Sequence, residues 1–232
     1  TTRKEKRLEA IKIQLTGEAS EKYDVYYSVH AQTFGWLDWA KNGEPAGTAG
    51  YGKRLEGIKI LLVPKGELAP GATQNAYVEK GITVQYRTHV QTYGWQNYVS
   101  DGTVSGTTGQ AKRLEGIQIS LGNQNCSGSI EYSVHVQTYG WQGYVSNGSV
   151  AGTTGQAKRL EAIKIRLTGE LSEKYDIYYR VHSQTYGWQG WAKNGEAAGT
   201  AGYAKRLEGI QIQLVSKGGA APGSTANCYY EK

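Results

Sequence analysis

The amino-acid sequence repeats itself, and this limits the chain to architectures built from copies of one supersecondary unit. The string Arg-Leu-Glu-Ala/Gly-Ile-Lys/Gln-Ile occurs five times, beginning at Arg7, Arg54, Arg113, Arg159 and Arg206. The successive intervals are 47, 59, 46 and 47 residues. A Gly-Trp pair recurs with the last three of these intervals, and its tryptophans are Trp36, Trp95, Trp141 and Trp188. The sequence therefore predicts four complete units and one leading half-unit.

The intervals also predict the boundaries of these units. We expect a leading half-repeat at 1–18, repeat 1 at 19–62, an inserted loop at 63–81, repeat 2 at 82–121, repeat 3 at 122–167, repeat 4 at 168–214 and a C-terminal tail at 215–232. The inserted loop accounts for the one long interval. Its Gly, Pro and Ala content between Pro64 and Gly81 is typical of a surface loop.

A second level of repetition lies above the first. Residues 1–80 match residues 153–232 almost throughout, at an offset of 152 residues that equals three units. Two explanations are open. Three units close into a module of which the chain holds one and a half, or a segment was recently duplicated within a longer array.

One segment of repeat 3 shows the pattern of a half-buried strand. Apolar and polar side chains alternate from Ile130 to Gln137, as they do when one face of a strand lies on the core. Ile130, Tyr132, Val134 and Val136 are predicted to face the core, and His135 and Gln137 the opposite side. The Arg-Leu-Glu segments are more ambiguous, since some of their apolar positions also fit a helix. Their β-branched Ile-x-Ile alternation favours strand.

Asn-Gly and Asp-Gly pairs indicate tight turns in every repeat. They occur at Asn42-Gly43, Asp101-Gly102, Asn147-Gly148 and Asn194-Gly195. Both residues of such a pair accept positive φ, so the pairs predict two-residue hairpins. Each repeat is then a long bent hairpin of three or four short strands.

These features predict an all-β fold of tandem antiparallel β-hairpin repeats of about 47 residues, four complete plus a leading half. Isolated hairpins cannot bury their faces, so neighbouring repeats must complete the core. Candidate closed arrangements are propeller-, prism- or trefoil-like. Five Arg-Leu-Glu strands suit a small propeller, whereas the offset of three units suits threefold closure.

Composition argues against several kinds of partner. The net charge is +6, but the basic residues do not cluster; they recur as Lys-Arg pairs about 47 residues apart, so we expect no nucleic-acid partner. No run of 18 apolar residues exists, and we expect no membrane insertion. Cys126 and Cys228 lack metal-ligand spacing, and their pairing as a disulfide is open. We predict neither a metal nor another cofactor.

The sequence His-Val-Gln-Thr-Tyr-Gly-Trp-Gln-Gly-Tyr-Val-Ser-Asn-Gly at 135–148, with Ala-Gly-Thr-Thr-Gly-Gln-Ala-Lys-Arg-Leu-Glu-Ala-Ile-Lys-Ile at 151–165, resembles the clostridial hydrophobic W repeat. The resemblance extends over nearly the whole chain in four copies. It implies a secreted or cell-wall-associated protein of a Gram-positive bacterium, related to those of clostridia, whose repeats bind substrates or partner macromolecules. It brings no catalytic residues. The long insertion and the leading half-unit depart from a simple array of this family.

The arrangement of polar residues favours binding over catalysis. One histidine occupies the same position in each repeat, whereas an active site brings unlike groups together once. We therefore expect no enzyme. The candidate ligand-binding residues are a His-Gln pair and an aromatic residue from each repeat: His30, Gln32 and Trp39; His89, Gln91 and Tyr98; His135, Gln137 and Tyr144; His182, Gln184 and Trp191.

Other repeated residues are interpreted as structural. The Gly-Trp tryptophans are predicted to fill the core between repeats, although stacking on a sugar is the alternative for these large aromatic anchors. The aromatics three residues later change between Trp and Tyr, which a close-packed core resists, and so they are better surface candidates. An Arg and a Glu two positions apart share a strand face and are predicted to form a structural ladder; these residues are Arg54, Glu56, Arg113, Glu115, Arg159, Glu161, Arg206 and Glu208.

The function expected from these residues is multivalent recognition of glycans or glycoproteins at the bacterial surface by a non-catalytic, extracellular module. Repeated weak sites on one body gain avidity for a repetitive ligand. The alternative is an adhesin or structural protein-interaction repeat that binds a host surface protein, for example an immunoglobulin, or that anchors to the cell wall. Competition by free sugars distinguishes the two.

Overall fold

The alternating apolar segments form strands, and the prediction of a nearly all-β protein is confirmed. The structure is a computed structural model that describes residues 6–232, so the first five residues of the predicted leading half-repeat lie outside it. The described helices are two single turns, α1 (Glu18–Lys22) and α2 (Glu170–Lys174). The chain divides into two compact units, Thr1–Gly81 (unit 1) and Ile82–Lys232 (unit 2).

Over residues 6–81, unit 1 contains seven strands. They are β1 (Ala10–Ile11), β2 (Tyr23–Ala31), β3 (Gly35–Trp36), β4 (Ala40–Lys41), β5 (Ala46–Ala49), β6 (Leu55–Pro64) and β7 (Tyr77–Glu79).

Unit 2 repeats this pattern three times. Repeat 2 contributes β8 (Thr83–Val90), β9 (Gly94–Trp95), β10 (Val99–Ser100), β11 (Ser105–Gly106) and β12 (Leu114–Gly122). Repeat 3 contributes β13 (Ile130–Val136), β14 (Gly140–Trp141), β15 (Val145–Ser146), β16 (Ala151–Gly152) and β17 (Leu160–Leu167). Repeat 4 and the chain after it contribute β18 (Tyr175–Ser183), β19 (Gly187–Trp188), β20 (Ala192–Lys193), β21 (Ala198–Ala201), β22 (Leu207–Ser216) and β23 (Tyr229–Glu231).

Each repeat is built on one long antiparallel pair. The pairs are β2 with β6, β8 with β12, β13 with β17, and β18 with β22. The second strand of each pair carries an Arg-Leu-Glu segment, so the strand interpretation of those segments is confirmed. The short Gly-Trp and following strands add to the outer edge of the first strand.

In unit 2 each repeat gives one short strand to the sheet of a neighbour, in cyclic order. Strand β16 of repeat 3 pairs with β12 of repeat 2, and β21 of repeat 4 pairs with β17 of repeat 3. Strand β11 of repeat 2 pairs with β22 of repeat 4 and completes the cycle. The pairings thus link three separate sheets through three exchanged strands.

Unit 1 contains part of the same arrangement. Strand β1 of the leading segment pairs with β5 of repeat 1, as β17 pairs with β21 in unit 2. Strand β7 runs parallel to β5, as β23 runs parallel to β21. The predicted inserted loop and C-terminal tail therefore each end in a strand of a sheet.

The Asn/Asp-Gly turns have the predicted geometry but not the predicted partners. Asn147 has φ 46° and Gly148 φ 84°, and the other three pairs are also positive at both residues. The strands on either side are not paired with each other, however, since β15 pairs with β13 and β16 with β12. The prediction that these pairs close two-residue hairpins is wrong, because each turn redirects the chain from its own sheet to that of the neighbour.

The exchanged strands need glycine where they meet the neighbouring sheet. Gly152 in β16 has φ 95°, and a Cβ there would lie 2.5 Å from the Glu115 carbonyl oxygen. Gly106 in β11 makes the same approach to the Glu208 carbonyl oxygen, also at 2.5 Å. Only a residue without a side chain fits such a contact at positive φ. This explains the Gly-rich return that precedes each Arg-Leu-Glu segment.

The apolar faces of the long pairs form one core in unit 2 and a smaller one in unit 1. Ile130, Tyr132, Val134 and Val136 are all fully buried, as predicted from their alternation. Burial of side chains of this size stabilises a fold by about 1.5–3 kcal/mol each before entropy is counted.

Buried tyrosine hydroxyls join neighbouring repeats, a role that the sequence analysis missed. The Tyr132 hydroxyl donates to the Ser149 carbonyl of its own repeat and accepts from Ile119 N–H of repeat 2 at 3.1 Å. Tyr86 does the same with the Thr103 carbonyl and with Ile212 N–H at 3.1 Å. Burial raises the pKa of Tyr86 to about 12. A signal was present in the sequence, since a tyrosine precedes each repeated histidine by three residues.

Candidate functional site

One polar cluster recurs on the outer face of every long pair. In repeat 3, His135 Nδ1 lies 3.0 Å from Glu161 Oε2, and Arg159 Nη2 lies 2.7 Å from Glu161 Oε1. The equivalent clusters are His30–Glu56–Arg54, His89–Glu115–Arg113 and His182–Glu208–Arg206. The prediction that Arg and Glu two positions apart meet on one strand face is confirmed.

The clusters are more enclosed in unit 2 than in unit 1. The Glu161 side chain is 6% exposed, whereas that of Glu56 is 33% exposed. In repeats 2 to 4 the histidine Nδ1 is buried close to the carboxylate but is not aligned for a hydrogen bond with it. The arrangement suits a structural contact between the histidine and the glutamate, and it leaves the histidines little surface for a ligand.

The Gly-Trp tryptophans stand against these histidines, not in the core. Register places His135 opposite Trp141, so the two rings share the outer face of the sheet and meet edge to face at 5.6 Å. Trp36 is 47% exposed, and the other three indoles are half-buried. The prediction that the Gly-Trp tryptophans fill the core is wrong. Each pairs with the histidine of its repeat, and this register places the indole on the face of the sheet that points away from the core; the residues are Trp36, Trp95, Trp141 and Trp188.

A cation covers each of these indoles. Its charged group lies 4.0 to 5.0 Å from the ring centroid, within the range of cation–π attraction. The pairs are Lys59 on Trp36, Arg87 on Trp95, Lys164 on Trp141 and Arg180 on Trp188. Each indole is therefore held between an imidazole at its edge and a cation on its face.

Repeats 2 and 3 also carry an exposed tyrosine with a guanidinium on its ring. Tyr98 is 47% exposed, and the Arg87 guanidinium lies 4.6 Å from its centroid while also contacting Trp95. Tyr144 is 41% exposed, with the Arg166 guanidinium at 4.1 Å. These two residues occupy the surface that the sequence predicted for them. In repeat 2, Trp95 and Arg87 lie between Tyr98 and its predicted partner His89.

Repeats 1 and 4 cover the equivalent position with a loop. Trp191 is only 5% exposed, because its backbone N–H donates to the Ser224 carbonyl at 2.9 Å and Gly223 lies close to its ring. Trp39 is half-buried and makes the same bond to Ala72. The prediction of Trp191 as a surface platform is wrong, and that of Trp39 holds only in part, since the loops at 65–76 and 217–228 occupy the space above them.

The predicted glutamines contribute their backbone to the fold. The Gln137 N–H donates to the Arg159 carbonyl at 3.0 Å, and the equivalents make the same bond. Their side chains are half-buried; the residues are Gln32, Gln91, Gln137 and Gln184. The structure therefore does not bring a His-Gln pair and an aromatic ring together as one site.

Exposed aromatic residues at the tip of each repeat were missed. Tyr93 is 57% and Tyr139 53% exposed, and each hydroxyl binds a glutamine of its own repeat, Gln110 and Gln156, at 3.1 Å. A lysine ammonium group lies 5.6 to 5.7 Å from each ring centroid. A signal was available, because the residue before each Gly-Trp pair is aromatic in all four repeats.

In repeat 4 the tip aromatic belongs to a cleft. Tyr186 stacks on Tyr230 with centroids 4.8 Å apart, and the two rings line a cleft of about 370 Å³ together with Arg180, Trp188 and Asn227. This cleft combines aromatic faces with one cation and the two amides of Gln189 and Asn227. Such a mixture suits a polar ligand with an apolar face.

Repeats 1 and 4 also share a buried carboxylate. Asp176 binds Lys193 at 2.9 Å and Lys217 at 3.1 Å, and it accepts from Asn194 and Gly218 N–H. Burial alone would raise the pKa of Asp176, but these donors outweigh it and hold the pKa well below its usual range. Asp24 has the same set of partners in repeat 1. The site anchors the start of each covering loop.

Over residues 6–232, no group of three or more His, Cys, Asp or Glu side chains is placed to hold a metal ion. Nor does that part of the chain contain a helix of the length and apolarity needed to cross a bilayer. Cys126 and Cys228 are free thiols, each partly buried against the core of unit 2.

Comparison with curated proteins and with solved structures found no match. The family description "Clostridial hydrophobic W" matches the chain four times, at residues 30–64, 89–123, 135–169 and 182–216. Each match runs from the repeated histidine to within two residues of the end of the last long strand of its repeat, and so includes the cluster, the indole and the turn described above. Because these matches cover more than half of its residues, the chain belongs to the clostridial hydrophobic W family.

Proposed function

We propose that the chain is a non-catalytic, multivalent module that binds glycans or glycoproteins outside the cell, as a secreted or cell-wall-associated protein. The observation that carries this proposal is the exposed tyrosine at the same position in two successive repeats, each with a guanidinium on its ring: Tyr98 with Arg87 and Tyr144 with Arg166. Flat aromatic surfaces suit the C–H faces of sugars, and neighbouring charged groups suit their hydroxyls and acidic substituents.

The repetition of the site supports avidity over chemistry. Every repeat presents the same histidine, glutamate, arginine and tryptophan, and a catalytic centre needs unlike groups converging on one reacting atom. Repeats 2 and 3 belong to one unit linked by exchanged strands, so their tyrosines are held together on that body. Two weak sites on one body bind a repetitive polymer more tightly than either does alone.

The two open sites differ in charge, which predicts a difference in preference. Arg87 donates to the neutral Gln118 side chain at 2.7 Å, whereas Arg166 is ion-paired with Glu131 at 2.7 Å. The charge of Arg87 is therefore the more available of the two. We propose that repeat 2 prefers sugars that carry carboxylate or sulfate groups and that repeat 3 accepts neutral sugars.

The test replaces the tyrosines singly and together. Tyr98→Ala, Tyr144→Ala and the double variant are measured for binding to a glycan array and for thermal melting. We expect melting within a few degrees of the wild type, a modest loss of binding from each single change and a more than additive loss from the double. Tyr23→Ala is the matched control, since Tyr23 is 41% exposed in unit 1 and distant in sequence from either site.

The competition arm distinguishes a sugar ligand from a protein ligand. Binding to a glycoprotein that free sugars displace supports the proposal. Tyr144→Ala keeps the repeat 2 site and Tyr98→Ala keeps the repeat 3 site. If high salt abolishes the binding of Tyr144→Ala but not that of Tyr98→Ala, the acidic preference of repeat 2 is supported. Binding that sugars do not displace, or double-variant binding equal to wild type, contradicts the proposal. The first of these results would favour an adhesin that grips protein.

A further inference from the structure

The cleft of repeat 4 lies where two nearly identical segments of the chain differ from each other. Residues 1–80 and 153–232 differ at 22 of their 80 paired positions. Of the nine residues that line the cleft, seven differ from their counterparts 152 positions earlier. The two that are the same are Trp188 and Asn227. Repeats 1 and 4 therefore share a scaffold but present different surfaces at this place.

The differences invert the charge of this place. Arg180 stands where repeat 1 has Ser28, and Gly190 stands where repeat 1 has Asp38. In repeat 1 the Asp38 carboxylate accepts from the Asn75 N–H at 2.9 Å, and so fastens the covering loop. In repeat 4 the backbone of the loop lies where a side chain on Gly190 would be. Compared with repeat 1, the cleft therefore lacks a carboxylate and carries a guanidinium.

The Arg180 guanidinium is held in place by groups that leave its charge unpaired. Its Nε donates to Gln211 Oε1 at 2.7 Å, and Gln211 Nε2 donates in turn to the Gly102 carbonyl at 2.6 Å. Its guanidinium carbon lies 4.9 Å from the ring centroid of Trp188 and 5.0 Å from that of Trp191. These contacts fix the side chain through neutral partners.

The charge of Arg180 is available to a ligand. Over residues 6–232, no carboxylate forms an ion pair with it, whereas Arg166 of the same unit is paired with Glu131 at 2.7 Å. Arg180 is also the one charged side chain among the described residues that line the cleft. A fixed guanidinium binds a carboxylate through two parallel hydrogen bonds. A single cation suits a ligand with a single negative charge.

The walls of the cleft suit a sugar ring. Tyr186 and Tyr230 stand where repeat 1 has Phe34 and Val78, so repeat 4 has a second ring and two hydroxyls that repeat 1 lacks. The two rings stack with their centroids 4.8 Å apart and 21° between their planes. Asn227 is exposed beside them and offers an amide. Aromatic faces suit the C–H groups of a pyranose, and the polar groups suit its hydroxyls.

The size of the cleft limits how much of a glycan can enter. Its volume of about 370 Å³ is at the small end of ligand pockets, which span about 300–1,000 Å³. It therefore suits the terminal residue of a glycan better than a longer stretch.

We propose that the cleft of repeat 4 binds a terminal sugar that carries a carboxylate. Arg180 binds the carboxylate, and the stack of Tyr186 and Tyr230 forms the wall for the ring. This inference rests on the proposed glycan-binding function and adds a site of another kind to it. Tyr98 and Tyr144 are open platforms for the side of a polymer, whereas the cleft takes its end. Repeat 1 lacks the guanidinium and the second tyrosine, and with them the site.

The experiment titrates the full chain with the methyl glycosides of glucuronic acid, galacturonic acid and N-acetylneuraminic acid, followed by NMR. We expect at least one of them to bind with a dissociation constant on the order of 1 mM, as suits so small a ligand. Signals of Asn227 and Tyr230 should shift, while those of Asn75 and Val78 in repeat 1 stay unchanged. Methyl glucoside has no carboxylate and should bind at least about ten-fold more weakly, because the hydrogen bonds to the guanidinium are missing.

Two variants assign this binding to the cleft. Arg180→Ser introduces the repeat 1 residue and should weaken binding of the acidic sugar about ten-fold or more. Tyr230→Val does the same at the aromatic wall and should weaken it about five-fold. It is an independent variant, needed because Arg180 also contacts two indoles. Lys174→Ser is the matched control, since it removes one positive charge from the same repeat at an exposed residue that does not line the cleft.

The double variant Tyr98→Ala/Tyr144→Ala separates this inference from the proposed function. It should bind the acidic methyl glycoside as the wild type does, even where its binding to a polymer is lost. Loss of polymer binding in the double variant, with no acidic sugar bound in the cleft of the wild type, contradicts this inference alone. Binding of the acidic sugar in the cleft, with polymer binding unchanged in the double variant, contradicts the platforms and supports the cleft.

Three further results overturn the inference. One is equal binding of methyl glucoside and the acidic sugars. Another is binding of the acidic sugars that both Arg180→Ser and Tyr230→Val leave intact. The third is inorganic phosphate or an acidic peptide that binds in the cleft more tightly than all three acidic sugars.

Discussion

Repeats 1 and 4 have almost the same sequence but different surroundings, and the contrast separates what a repeat does alone from what its neighbours add. Both repeats form the long strand pair, the Asn-Gly turn, the covering loop and the parallel strand after it. In repeat 4, residues of repeat 2 cover the edge and the apolar face of the last strand, β22. In repeat 1, the apolar face of the last strand, β6, is exposed. The local structure of the repeat is therefore intrinsic, and the burial of its β6-type strand is a property of the interface.

The same contrast appears in the polar cluster. His182 and Glu208 have side chains 19% and 7% exposed and lie 3.1 Å apart, whereas His30 and Glu56 are 35% and 33% exposed and lie 3.4 Å apart. The histidine–glutamate contact is present in both repeats, but its side chains are more exposed in repeat 1. The contact therefore forms within one repeat, and in repeat 4 it is further enclosed beside the paired strand β11 of repeat 2.

The largest effect that tests this contrast comes from the apolar face itself. Ile212→Ala should lower the free energy of unfolding by about 2–5 kcal/mol, because it leaves a cavity in the core of unit 2. Ile60→Ala should change it by less than about 1 kcal/mol, since that side chain is already half exposed. Urea unfolding of both variants, with amide exchange to assign each transition to a unit, measures the difference. Equal losses would mean that repeat 1 is covered in solution.

A smaller effect is expected from the hydroxyl that ties repeat 2 to repeat 4. Tyr86→Phe removes the acceptor of Ile212 N–H and the donor to the Thr103 carbonyl, and it leaves the Ile212 N–H in the core without this bond. The expected cost is about 1–3 kcal/mol. Tyr98→Phe is the control and should stay within about 0.5 kcal/mol, because Tyr98 is exposed. Thermal melting that ranks the two variants in the opposite order would show that the hydroxyl is not part of the interface.

The third prediction concerns a feature that should not differ between the repeats. Asp24→Asn and Asp176→Asn remove the same buried carboxylate from the same lysine and asparagine partners, so both should destabilise their own unit. The folded pKa of each carboxyl lies well below its ordinary value of about 3.9. The ionised group therefore contributes its stabilisation above about pH 4, and this contribution is lost as the pH falls toward the folded pKa.

Denaturant unfolding from pH 7 down to pH 2 checks this sign. The gap between wild type and Asp176→Asn should be widest at neutral pH and should shrink steadily in acid. The gap for Asp24→Asn should follow the same curve, because the neighbouring strand is not part of this site. A gap that widens in acid would show that the carboxyl is protonated in the folded state.

The sequence predicted local features well because they depend on few residues. Alternation placed Tyr132 and Val134 in the core, and two successive positive-φ positions placed the turn at Asn147 and Gly148. The Arg-Glu contact followed from a spacing of two along a strand. In each case the determining residues are neighbours in the chain.

What the sequence did not predict depends on which strands become neighbours. The Asn147-Gly148 pair predicts a hairpin, but β16, the strand after it, pairs with β12 of repeat 2. Trp141 was predicted to be a core residue, but its position opposite His135 places it on the outer face of the sheet. Trp191 and Tyr144 occupy equivalent positions, but a loop that folds back from later in the chain buries only the first. The open site at Tyr144 was predicted, and the covered one was not.

The cyclic exchange of strands has a consequence for how genes of this kind change in length. Residues 1–80 and 153–232 match at an offset of 152 residues, which is three repeats. In unit 2 three repeats are also what the cycle of exchanged strands needs. A change in length by 152 residues therefore adds or removes one complete set, whereas a change by a single repeat would leave an exchanged strand without its sheet.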